Sequence, residues 1–160
     1  MKNIIRLMLA VSLTLAVVVA EPSKPSVFQM RLVLDAASAD SEEMTMFHQG
    51  SEGGERREVL NVQRKPLIDE SSLKSATMVT DTGTGNPEIE IAFTEQGQQR
   101  FAEVTGQNIG KRLAIIIDGR LYSAPVIRSV ISGGKGMISG KFTKEEASDL
   151  AAKIVRAVRK

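Results

Sequence analysis

The sequence has no cysteine and no tryptophan, and only one histidine and one tyrosine among its 160 residues. Without cysteine, disulfide scaffolds, thiolate metal sites and thiol nucleophiles are excluded. The one histidine, His48, stands in a polar stretch where solvation is its ordinary role, so histidine-rich zinc sites and histidine-based catalysis have little to build on. Aromatic residues make up 4% of the chain, too few for platforms that stack single-stranded nucleic acid. What is present is 42% hydrophobic and 25% charged residues, with a formal net charge of +2. That balance excludes a disordered chain and suffices for one domain around a proper core.

Residues 1–20, MKNIIRLMLAVSLTLAVVVA, place Lys2 and Arg6 ahead of an apolar run from Leu7 to Val19. The run has the length of a signal-peptide core and falls short of the roughly 20 residues a spanning helix needs. Cleavage is expected between Ala20 and Glu21, giving an exported protein of the periplasm or cell envelope; an uncleaved membrane anchor is the alternative. With no cysteine after the run, a lipoprotein anchor is excluded. Removing residues 1–20 takes away two basic residues and no acid, so 21 basic residues become 19 against 19 acidic ones. A neutral chain offers no basic stripe to nucleic acid. The local pairs Arg56-Arg57 and Lys111-Arg112 read as solvated surface.

The rest of the chain reads as short strands with two helices. Phe28, Met30 and Leu32 share one parity in a first strand over residues 27–34. Residues 35–57 are acidic and then glycine-rich, and are expected to be a mobile connection that Met44, Met46 and Phe47 could dock. Strands follow at 58–63 and 76–79, with a short helical turn capped by Asp69 between them. Residues 80–86 form a turn cluster. Ile89, Ile91 and Phe93 alternate with Glu88 and Glu90 in a half-buried strand. A helix over 95–109 starts at an N-cap, Thr94, and Gly110 is placed to end it. Leu113–Ile117 is the most apolar strand, and Asp118-Gly119 is a two-residue hairpin signal leading into a strand over 121–126. Val130-Ile131 and residues 136–139 flank a turn at Gly133-Gly134-Lys135. Thr143 and Glu146 form a capping box ahead of a closing helix with Ala147, Leu150, Ala151, Ile154 and Val158 on one face. The expected fold class is α+β: a mostly antiparallel sheet with two main helices packed on one face. The expected division is a signal peptide at 1–20, an N-terminal strand and flexible loop at 21–57, and one domain at 58–160.

The residues that could carry chemistry have ordinary structural explanations. Gly133-Gly134-Lys135-Gly136 lacks the spacing and the following helix of a phosphate loop and reads as a hairpin turn. Asp118 ends an apolar strand, but Gly119 and the returning strand make it a turn residue. Glu88 and Glu90 share a strand face without a third ligand. Ser123 has no nucleophile-elbow context. No catalytic residue, metal or cofactor is expected. The enzymatic alternative rests on Asp118, Glu88 or Glu90 as acids.

One ordered series of residues goes further than any single motif. It runs Phe93, Gly97, Thr105, Gly110 to Ile115 (Leu113 and Ala114 included), Asp118-Gly119 and Ser123-Ala124-Pro125. It continues through Gly133-Gly134, Ile138-Ser139-Gly140, Phe142-Thr143 and Ala147 to Ala151, with Leu150. This series resembles the SecD and SecDF protein-export family, in the head subdomain of the first periplasmic domain. Upstream, Leu73 to Ala76 is similar to a family segment expected to be a helix entering the head. The resemblance covers about residues 58–158. The family's membrane-spanning helices and base subdomain have no match in these residues, so the expectation is a free-standing head. Its family-motif residues have scaffold explanations, which speaks for fold more than for ligand.

What the resemblance implies is a non-enzymatic module that binds polypeptide or an envelope protein. It would meet a membrane only through partners unless the signal peptide is retained. The alternative is an accessory of Sec-dependent export, with Sec translocon components as partners. The candidate binding surface is a groove beside residues 121–131, with Leu121, Val126 and Arg128 on the edge, or the 35–57 loop. Pro125 and the neighbouring glycines suit strand addition by an extended chain.

Overall fold

The computed structural model describes residues 26–49 and 55–159. The expected signal peptide at residues 1–20 and its expected cleavage between Ala20 and Glu21 lie outside the described residues. No helix among the described residues is long and apolar enough to cross a membrane.

The strands are β1 (Phe28–Leu34), β2 (Ser41–Gln49), β3 (Glu55–Gln63), β4 (Ile68–Asp69), β5 (Leu73–Thr80), β6 (Pro87–Phe93), β7 (Leu113–Ile117), β8 (Arg120–Ser123) and β9 (Lys135–Ile138). The helices are α1 (Glu95–Gln107) and α2 (Lys144–Val158). All described pairings are antiparallel, as the sequence pattern predicts, but the strands divide between two sheets. One has the order β2-β3-β1-β7-β8, with β4 added to β1; the other has the order β5-β6-β9. Helix α2 packs on β5 and β6, and α1 on β4, β6 and the 3-10 turn Glu70–Ser72. The α+β class holds.

Alternating apolar residues decide which face of each strand is buried. Phe28, Met30 and Leu32 of β1, and Ile89, Ile91 and Phe93 of β6, enter one large core with Ala147, Leu150 and Ile154 of α2. Strand β7 is buried on both faces. Leu113, Ile115 and Ile117 face the large core, whereas Ala114 and Ile116 face a smaller one with Met46, Leu60, Val62 and Leu121. The smaller core exists because the first sheet curls until β2 lies against β8. A fully buried side chain such as Phe28 or Ile117 contributes about 1.5–3 kcal/mol.

Most of the local signals act as read. Thr94 Oγ1 accepts the Gly97 amide at 3.0 Å, and Thr143 Oγ1 accepts the Glu146 amide at 3.0 Å. The turn residues Asp118 and Gly119 have φ +53° and +77°; Gly110 is left-handed at φ +87°, but α1 ends before it, at Gln107 with Asn108 as C-cap, and not at residue 109 as expected. The return arm of the capping box goes elsewhere: the Glu146 carboxylate accepts from Tyr122 Oη at 3.4 Å and faces Arg120 at 3.7 Å.

Three expectations are corrected. Much of the supposed mobile connection at 35–57 is a hairpin, with β2 and β3 in register from Ser41↔Gln63 to Gln49↔Glu55. Only part of it is buried (Ser41 and Met46 on β2, Leu60 and Val62 on β3), so its polar composition belongs to a solvated face. Leu73 and Ala76 lie on β5 rather than on a helix, and both are buried. Val130-Ile131 is irregular; the strand-like element nearby is the bridge Arg112↔Val126.

Candidate functional site

Three of the large apolar side chains left exposed among the described residues, Val126, Ile131 and Met137, line one groove. Strand β9 ends the smaller sheet, and residues 125–131 run opposite it. Between them lies a groove of about 260 Å³ with Ile91, Phe101, Leu113 and Ile127 among its lining. It adjoins a cavity of about 500 Å³ lined in part by Met46, Tyr122, Ser123 and Lys141, and both are lined by Ile115, Pro125 and Met137. On the groove, Val126, Ile131 and Met137 are 47%, 40% and 49% exposed. Clustered apolar exposure of this kind marks an interaction surface more than scattered single residues do.

The 125–131 wall is held by hydrogen bonds to the 98–113 segment. The Ile127 amide donates to Lys111 O at 2.8 Å, the Gly110 amide to Ile127 O at 2.8 Å, and the Leu113 amide to Pro125 O at 2.9 Å. The Ile131 amide donates to Thr105 Oγ1 at 2.9 Å, and Gln98 Nε2 to Ser132 O at 2.6 Å. Beneath the adjoining cavity Phe142 packs against Tyr122, ring centroids 5.2 Å apart. Gly140 lies so close that a Cβ there would meet the Phe142 ring at 2.8 Å. Burial, and then the nearby Glu146 charge, push the Tyr122 phenol upward.

The candidate edge residues divide. Val126 and Arg128 are exposed and line the groove, but Leu121 is only 3% exposed and belongs to the smaller core, so it is no edge contact. Its strand β8 lies between β7 and the approaching β2, which covers it. The reading of Arg112 as solvated surface is also corrected. Its guanidinium pairs with both carboxylate oxygens of Glu58, whose hydrogen bond raises its already high pKa further.

The candidate acids do not converge. Ser139 Oγ donates to Glu88 at 2.6 Å, Lys135 Nζ lies 3.0 Å from Glu90, and Lys153 pairs with Asp118 on the other sheet's hairpin. No group of three or more possible metal ligands occurs among the described residues. Most of the motif residues serve as scaffold. Gly97, Ala114, Phe142, Ala147 and Leu150 are buried, Thr143 caps α2, and Gly134 has φ +70° beneath Gln98. Gly133 has open space around it, and Ser123 and Ala124 line the second cavity.

The sequence reading missed Lys135 and Met137 as residues of a sheet edge. Their edge position depends on which strands pair across some 45 residues, which local alternation does not encode.

A model of the SecDF P1 head subdomain matches residues 43–157. The chain belongs to this family. A SecDF protein translocase subunit from Thermus thermophilus is 50% identical over 86 residues, 54% of this chain and 12% of the relative. A crystal structure of SecDF in a super-membrane-facing form superposes with a TM-score of 0.63 at 32% identity, covering 82% of this chain and 19% of that one. A second SecDF structure, described as a membrane component that enhances protein export, gives 0.59 at 30% identity, covering 84% of this chain and 62% of that one. The chain spans 12–25% of the lengths of the curated relatives it matches. The family-motif residues Gly97 to Leu150 all fall within the matched part of this P1 head.

Proposed function

We propose that this P1 head is an exported, non-enzymatic module of the protein-export machinery that binds polypeptide in the groove between residues 125–131 and β9. The observation that carries the reading is the groove itself, apolar inside and bordered by exposed Val126, Ile131 and Met137. A site for passing polypeptides must accept many side chains, and an open apolar trough with little fixed charge does so. The names of its relatives, translocase subunits, support placing this binding in export, with Sec translocon components or the exported chain as partners. The apolar run at residues 7–19 supports export to the periplasm or envelope. The dispersed carboxylates support a binding role over a catalytic one.

The test is fluorescence anisotropy of a labelled peptide of alternating valine and serine, with a lysine at each end, titrated with residues 21–160. Binding that weakens in Ile131→Asp supports the reading. Absence of binding, or equal binding by both proteins, overturns it.

A further inference from the structure

We infer that β9 receives an extended polypeptide as an added strand, so that the groove reads main chain rather than a particular sequence. This rests on the reading that the groove binds polypeptide, and specifies how. Strand β9 ends its sheet, and among the described residues its only strand partner is β6, with Ile89↔Ile138, Glu90↔Met137, Ile91↔Gly136 and Ala92↔Lys135 opposed. The phase of that ladder is set by the Phe93 amide, which donates to Gly134 O at 2.9 Å. Opposed pairs in an antiparallel ladder alternate between hydrogen-bonded and non-bonded. The bonded pairs are therefore Phe93/Gly134, Ile91/Gly136 and Ile89/Ile138. The N–H and C=O groups of Lys135 and Met137 turn away from β6, on the side where residues 125–131 form the opposite wall.

That wall has a matching phase. The Leu113 amide is bonded to Pro125 O, and the Ile127 amide to Lys111 O. Val126 thus stands opposite Arg112 in a non-bonded pair, and its own N–H and C=O turn away from Arg112. A strand laid along β9 finds main-chain donors and acceptors at Lys135 and Met137, with Val126 across from them. Buried polar main chain demands such partners, and edge strands are where added strands supply them.

The side chains of the incoming strand have defined surroundings. Those opposite Gly136 and Ile138 enter the apolar face beside Ile91, where Gly136 contributes no side chain and leaves the groove open. Those opposite Lys135 and Met137 emerge on the outer face, where Lys135 meets Glu90. An extended segment alternating apolar and polar residues fits both.

The experiment uses residues 21–160 and the same valine–serine peptide, with amide hydrogen exchange and two variants at one position. Met137→Pro removes the outward N–H without touching a bond to β6, whereas Met137→Ala removes the side chain and keeps the N–H. Strand addition predicts slowed exchange at Lys135 and Met137 on binding. It also predicts affinity weakened at least about tenfold in Met137→Pro, and by clearly less in Met137→Ala, which loses an apolar contact at the groove's border but keeps the N–H. Peptide that binds without slowing exchange at Lys135 and Met137, or binds Met137→Pro at full affinity, overturns strand addition while leaving the groove as the binding site. Failure of the unsubstituted chain to bind the peptide overturns both. The exchange measurement on the unsubstituted chain decides the matter even where Met137→Pro does not fold.

Discussion

The guanidinium of Arg112 forks onto both carboxylate oxygens of Glu58, at 2.5 and 3.1 Å, and its Nε donates to Ala124 O at 3.0 Å. One side chain thus ties the β2–β3 hairpin to the entry of β7 and the exit of β8. The tie has consequences because β3 pairs with β1 only at its base, through Val33↔Val62 and Leu34↔Asn61. Beyond that point the hairpin is held by the smaller core and by this ion pair, whose side chains are 30% and 36% exposed. Arg112→Met keeps the aliphatic stem and removes the fork. It is expected to lower stability by about 1–3 kcal/mol in urea unfolding. Combined with Glu58→Gln in a double-mutant cycle, the two losses should fall short of additive by 0.5 kcal/mol or more, roughly the threshold for residues in contact. Full additivity would show that the pair does not couple the hairpin to β7.

Gly97 sits on α1 where the helix crosses the 3-10 turn. A Cβ there would lie 2.0 Å from the Ser72 carbonyl oxygen. That oxygen already accepts from the Thr94 amide at 3.0 Å and from Thr94 Oγ1 at 3.3 Å, so it cannot move without loosening the start of the helix. Gly97→Ala is therefore expected to destabilise the chain by about 3 kcal/mol or more. Gly106, on the exposed side of the same helix, is the contrast. Its added Cβ would meet only Val130 Cγ2, at 3.4 Å, on a side chain 53% exposed and free to shift. Gly106→Ala should raise stability by about 0.5 kcal/mol through backbone entropy and helix propensity. Thermal unfolding of both variants checks the opposed signs.

Gly97 also marks a limit of sequence reading. Its place in the motif series was visible, but the reason, a carbonyl 25 residues earlier, was not. The features that were legible are local. The two caps Thr94 and Thr143, the left-handed Gly110, the Asp118-Gly119 turn and the alternation in β1 and β6 each depend on a few neighbouring residues. The β2–β3 hairpin was not legible because Met44, Met46, Leu60 and Val62 gain a buried face only after the sheet curls toward β8. The sequence points to a groove beside residues 121–131; the observed groove has Val126 and Arg128 in its lining, while Leu121 is buried away from it. The groove's β9 wall depends on pairing with β6 across the whole of α1 and β7.

Thr105 is a buried polar residue with a task on the groove. Its hydroxyl donates to Phe101 O at 2.8 Å and accepts the Ile131 amide at 2.9 Å. Valine has nearly the same shape and neither hydrogen bond. Thr105→Val leaves the Ile131 amide without its acceptor, at an expected loss of about 1–3 kcal/mol. The distinctive readout is local: amide exchange should speed up at Ile131 while that of β1 falls only with global stability. Peptide affinity should also weaken, because the 125–131 wall loses an anchor. Unchanged exchange at Ile131 would show that the wall is held by packing alone.

Asp81 supplies the acid-side test. Its Oδ1 accepts from Thr84 Oγ1 at 2.7 Å, from the Thr84 amide at 2.6 Å and from the Gly83 amide at 3.1 Å. The Thr84 hydroxyl bond first, and then the amide bonds, hold its pKa below the ordinary carboxylate value. A carboxyl more acidic in the folded state than in the unfolded one stabilises fully above its unfolded pKa. That contribution is lost as pH falls through the lower folded value, because the unfolded state then takes up the proton first. Asp81→Asn keeps one acceptor oxygen and cannot titrate. The unsubstituted chain should melt higher than Asp81→Asn at neutral pH, and the difference should narrow as pH drops below the ordinary carboxylate range. The mechanism requires that narrowing, since the ionised form alone makes the strong bonds to the 83–84 turn. A difference in melting temperature that stays constant down to strong acid would mean that the turn is set by geometry at Gly85, with φ +72°, and owes nothing to the charge.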